Sequence, residues 1–82
     1  MTLIEAMNII KKEKLQGYNL DGKNIKENEV GVQFVGEKWI VYCTDERASY
    51  RIIKEYTTQE DAIKHAIDCL RINEKIKKRF NV

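Results

Sequence analysis

Two kinds of hydrophobic periodicity divide this chain. Near its start Leu3, Met7 and Ile10 recur at i, i+4 and i+7, with Ala6 and Ile9 beside them and Lys11, Lys12 and Glu13 turned away. That spacing predicts a helix from Thr2 to about Lys14, opened by a Thr2-x-x-Glu5 capping box. Gly17 either stops this helix or ends the loop after it. The next stretch, GYNLDGKNIKENE, is rich in turn residues, with Asp21-Gly22 as its clearest signal. It predicts a loop carrying at most a short extended piece at Tyr18–Leu20.

From Glu29 the period changes to two. Val30, Val32 and Phe34 alternate with polar or small residues and predict a strand. Gly36-Glu37 supplies a two-residue turn with Gly first, as a type II′ hairpin prefers. The turn sets a register that pairs Val35 with Lys38, Phe34 with Trp39, Val32 with Val41 and Val30 with Cys43. All six apolar residues of the last three pairs then share one face, so turn and pattern agree. The other face, with Gly31, Gln33, Ile40 and Tyr42, is expected to be half-wet. A third strand, about Ser49 to Tyr56, offers Tyr50, Ile52 and Tyr56 on one side and Ile53 on the other.

Thr57 and Glu60 repeat the capping-box pattern and predict the start of a long helix. Ile63, Ala66, Ile67 and Leu70 form its stripe, Ala62 and Cys69 flank it, Ile72 and Ile76 continue it with a drift, and Phe80 is placed to cover its end. The fold class expected is α+β in the order α-β-β-β-α, a three-stranded antiparallel sheet with two helices packed on one face, forming a single domain over residues 1–82. The face opposite the helices, or the sheet edge, stays available for a partner.

The segment Thr-Asp-Glu-Arg-Ala-Ser, residues 44–49, joins the second and third strands without Gly or Pro. Asp45 accounts for the turn, since its carboxylate can accept backbone N–H groups. It does not account for Arg47, because a turn needs no guanidinium. Glu46 and Arg47, with Tyr42 and Tyr50 flanking, therefore join Asp45 as candidate contact residues.

At 82 residues one core is all the chain can build, burying roughly 60–65% of its unfolded surface. The net charge of +2 is unevenly spread. From Arg71 onward five Lys or Arg face Glu74 alone, a local +4, which leaves ten bases against twelve acids before it, or −2. Cys43 and Cys69 lie outside any metal or disulfide spacing and read as small buried hydrophobes. His65, the single histidine, lacks the companions a zinc site needs. No cofactor is expected. Glycines are too scattered to cradle a phosphate, and the carboxylate pairs Asp45/Glu46 and Glu60/Asp61 sit in a turn and in a helix's first turn. These features argue against an enzyme. No apolar leader opens the chain and no apolar run approaches the roughly 18 residues of a membrane span. That predicts a cytoplasmic protein with reduced thiols and no membrane partner.

The α-β-β-β-α order resembles the double-stranded-RNA-binding domain, whose second helix begins with lysines that hold phosphates. Here Thr57, Thr58, Gln59, Glu60 and Asp61 occupy that place, and the acids repel phosphate. The basic cluster Lys75–Arg79 lies at the helix's other end, where it would support salt-sensitive binding of nucleic acid. That module is the alternative reading, and self-association as a homodimer is a third.

A second likeness covers Asn28 to Arg71. The run NEVGVQF…WIVYCTDERAS, followed by EYTTQEDAIKHAIDCLR, resembles the small immunity proteins of bacterial polymorphic toxin systems, with Thr44-Asp45-Glu46-Arg47-Ala48 as its most specific part. The tyrosine-rich third strand and the basic tail depart from that pattern. The resemblance implies a non-enzymatic protein that binds a cognate toxin domain in the producing cell and blocks it. Charge complementarity would speed such association, and Tyr and Arg are the usual anchors.

Overall fold

The computed structural model describes residues 1–80, the last by its backbone alone. The first helix, α1 (Leu3–Glu13), starts as predicted. The Thr2 side chain accepts from the Glu5 N–H at 3.2 Å, and Glu5 Oε1 accepts from the Thr2 N–H at 3.1 Å. It stops at Lys14 rather than Gly17, because Lys14 takes the left-handed conformation (φ 55°) and Leu15 N–H reaches back to the Ile10 carbonyl at 3.0 Å. Ala6 and Ile10 form its buried side, while Leu3 and Met7 of the expected stripe stay exposed.

Four strands follow: β1 (Tyr18–Asn19), β2 (Val30–Val35), β3 (Lys38–Thr44) and β4 (Tyr50–Tyr56). They form one sheet in the order β1-β2-β3-β4, with β1 parallel to β2 and the other pairs antiparallel. The three-stranded antiparallel expectation is corrected to a four-stranded mixed sheet. A two-residue strand carries no periodicity to read; Tyr18–Asn19 is drawn in when Val30 N–H donates to the Gly17 carbonyl at 2.7 Å.

The β2–β3 register is the predicted one, from Val35↔Lys38 to Val30↔Cys43. The turn that sets it differs in type. Gly36 (φ 57°) and Glu37 (φ 67°) are both left-handed, which makes a type I′ turn and not II′. At that end Phe34 packs on Trp39 with the rings tilted at 44° and their centroids 4.7 Å apart, yet stays 56% exposed, so it is not the core residue expected.

In β4 the expected alternation fails at one point. Lys54 pairs with Val41 but Ile52 pairs with Tyr42, so Ile53 is an extra, bulged residue. Tyr56 therefore lies on the helix side of the sheet, while Tyr50 and Ile52 lie on the opposite side. Sequence spacing had put all three together.

The second helix, α2 (Gln59–Phe80), begins one residue later than its apparent capping box. Thr58 is the cap, its Oγ1 accepting from the Asp61 N–H at 3.3 Å. Ala62, Ile63, Ala66, Ile67 and Leu70 are all buried, and α2 packs on β2 and β3 with α1 against it. α2 thus covers one face, and α1 joins the same core through α2. A 22-residue helix spans about 33 Å and a seven-residue strand about 23 Å. α2 is therefore longer than the strands it packs on, and Ile72 and Ile76 near its end are exposed. The Phe80 side chain, expected to cover that end, lies outside the described residues, as do residues 81–82.

Candidate protein-binding surface

The face opposite the helices is not half-wet at its centre. Tyr42 is 0% exposed there, lying over Gly31 and stacked on Tyr50 with ring centroids 5.0 Å apart. Its hydroxyl donates to Glu29 Oε2 at 2.9 Å, and Asn19 Nδ2 donates to the same oxygen at 2.8 Å. Burial, helped by the Glu29 carboxylate, pushes the Tyr42 hydroxyl's pKa far above that of a free tyrosine. The loop between β1 and β2 closes over this network. Gln33 Nε2 donates to the Gly22 carbonyl at 3.2 Å and Thr44 Oγ1 to the Lys26 carbonyl at 2.6 Å. Tyr42 is thereby corrected from contact residue to structural residue, since no partner can reach it. Sequence reasoning missed the network because a buried Glu looks like any surface Glu; Gly31 opposite Tyr42 in the register was the one available signal.

The 44–49 turn is built around Asp45. Its Oδ1 accepts from the Arg47 N–H at 2.8 Å and the Ser49 N–H at 2.9 Å, and its carbonyl accepts from the Ala48 and Asn28 N–H groups. These backbone amides hold the Asp45 carboxyl below its ordinary pKa. Ala48 takes the left-handed conformation (φ 60°) that completes the reversal. The chain therefore turns without Gly or Pro because one carboxylate collects two amides.

Glu46 and Arg47 project from this turn exposed. Among the described residues the ion pairs are Lys38–Glu55 at 3.5 Å and Arg71–Glu13 at 2.7 Å, so neither Glu46 nor Arg47 is paired. In the strand that follows, Tyr50, Ile52 and Ile53 are 43%, 48% and 38% exposed. The Tyr50 hydroxyl donates to Gln33 Oε1 at 3.0 Å, which fixes its ring above the sheet. A groove of about 370 Å³ runs between the end of β3 and the start of β4, lined by Thr44, Asp45, Ser49, Tyr50, Arg51 and Cys43. Of the candidate residues, Asp45 and Tyr50 line this groove, and Glu46 and Arg47 follow Asp45 in the same turn, exposed.

Other reactive side chains have structural occupations. His65 Nδ1 lies 2.8 Å from the Tyr56 hydroxyl, with the rings edge to face, which ties α2 to β4. Cys43 and Cys69 are free, half-buried and packed against the core, and burial pushes the Cys69 thiol's pKa up. Among the described residues no three His, Cys, Asp or Glu side chains are grouped to hold a metal ion, and no helix is long and apolar enough to cross a membrane. Comparison with protein-family models, with curated proteins and with solved structures gives no match for this chain.

Proposed function

We propose that this chain is a non-enzymatic inhibitor, an immunity protein that neutralises a cognate bacterial toxin by binding it in the cytoplasm of the cell that makes both. The observation that carries the reading is how the shared motif divides. Part of it has internal work: Glu29 anchors Tyr42, Gly31 makes room for that ring, Thr44 accepts from the Glu29 N–H at 3.0 Å, and Asp45 holds the turn. Glu46 and Arg47 have none. They stand on a backbone fixed by Asp45, ahead of a strand that exposes an aromatic ring and two isoleucines. A rigid charged turn next to apolar anchors loses little entropy on binding, the property a tight inhibitor needs.

The test is capture by the tagged protein from a nuclease-treated lysate of its source, compared with the Glu46→Lys/Arg47→Glu variant, followed by co-expression of the captured protein. The expected result is one stoichiometric protein partner that is toxic alone, harmless with the wild-type chain, and poorly captured by the variant. The alternative, a nucleic-acid-binding module, draws on the exposed cluster Lys75, Lys77, Lys78 and Arg79 at the end of α2. Recovery of RNA or DNA without nuclease, falling steeply with salt, with no protein partner, would replace the first reading by the second.

A further inference from the structure

The open edge of β4 offers more than exposed apolar area. β4 ends the sheet, so the backbone N–H and C=O groups on its outer side have no strand partner. All seven of its residues except Tyr56 are exposed. The bulge at Ile53 sorts their side chains. On the helix side stand Arg51, opposite Cys43, and Lys54, opposite Val41. On the other side stand Tyr50 and Ile52, opposite Thr44 and Tyr42. Neither Arg51 nor Lys54 has a carboxylate within ion-pair distance among the described residues, and Lys54 has only the Tyr56 ring, 5.3 Å from its Nζ. Arg47, in the adjoining turn, is a third unpaired cation.

We infer that β4 accepts an additional strand from the protein partner, an extended segment whose side chains alternate acidic and apolar. Its main-chain groups complete the ladder, its carboxylates lie along Arg51 and Lys54, and its apolar side chains lie along Tyr50 and Ile52. A second copy of this chain fits the edge poorly. Pairing β4 with itself about an axis perpendicular to the sheet keeps the helix sides together and crowds two Arg51 and two Lys54 along one seam. Like charges facing across a strand pair are destabilising. The inference rests on the proposed inhibitor function for the partner's identity, but the edge chemistry can be tested without that partner.

The probe is acetyl-Gly-Val-Glu-Val-Asp-Val-Gly-amide, titrated into the full ¹⁵N-labelled chain while amide shifts are followed. The controls are the same peptide with Lys replacing Glu and Asp, and the acidic peptide N-methylated at alternate backbone nitrogens. The expected result is shifts concentrated on Tyr50–Tyr56, lost with the N-methylated peptide. The Arg51→Glu/Lys54→Glu variant should bind the acidic peptide about tenfold more weakly and gain binding to the lysine peptide. Circular dichroism of that variant checks that it is folded. No β4 shift up to about 2 mM peptide, or equal binding of acidic and basic peptides, would overturn the inference. Broadening of β4 amides with protein concentration alone would assign the edge to a second copy and overturn it too. A captured toxin that binds Arg51→Glu/Lys54→Glu as well as wild type would sink strand addition and leave the inhibitor reading standing. Peptide binding as expected, with no protein partner captured, would do the reverse.

Discussion

Tyr42 occupies the space that a side chain at Gly31 would need: a Cβ placed there would fall on the Tyr42 ring itself, against Cζ, the hydroxyl and Cε1. The two residues pair directly across β2 and β3. Gly31→Ala must therefore push out the largest fully buried side chain in the protein. Overpacking typically costs about 1–3 kcal/mol, and the upper end is expected here because the obstacle is a ring held on both sides. For a domain of this size that lowers Tm by roughly 10–20 °C. Tyr42→Phe keeps the packing but removes one of two donors to buried Glu29, at about 1–3 kcal/mol. Thermal melts of the two variants check both.

At the β2–β3 hairpin, Glu37 sits at a left-handed φ that a residue with a Cβ adopts only at a cost. Glu37→Gly should raise stability by about 1 kcal/mol, seen as a Tm increase of roughly 4–8 °C. Were the turn type II′ after all, Glu37 would have negative φ and the same substitution would lower Tm.

The Asp45 turn predicts a pH dependence with a definite sign. The folded carboxyl titrates below its ordinary value of about 4, so the stability it contributes is present above that pH and is lost as the pH falls through the folded value. Glu5 and Glu13, lowered by Thr2 and Arg71 respectively, act in the same direction. Urea midpoints should therefore fall on acidification below about pH 4–5. Asp45→Asn, which keeps an acceptor without the ionisation, should show a shallower fall.

The start of α2 distinguishes two adjacent threonines. Thr58→Ala removes the acceptor for the Asp61 N–H and should cost about 1 kcal/mol. Thr57→Ala should change stability by less than about 0.5 kcal/mol, although Thr57 is the better match to a capping box on paper. Chemical denaturation of the two variants separates them.

Much of the fold was legible in the linear pattern, and the reason is that local rules carried it. The α1 capping box, the β2–β3 register and the α2 stripe each rest on contacts within a few residues or across one tight turn, where side-chain period and turn length leave a single solution. The turn at Asp45 was legible for the same reason. The rest depended on residues brought together from far apart in the chain. β1 exists because Gly17 meets Val30, and Tyr42 is buried because Asn19, Glu29 and the intervening loop close over it. The facing of β4 depends on a bulge that no composition signal marks. For the candidate site this was decisive. Burial moved Tyr42 from the surface to the interior, and the bulge set Tyr50 and Ile52 on one side of the edge strand with Arg51 and Lys54 on the other. Alternation along a strand is a local property; which side meets a helix, a loop or nothing depends on where the distant elements pack.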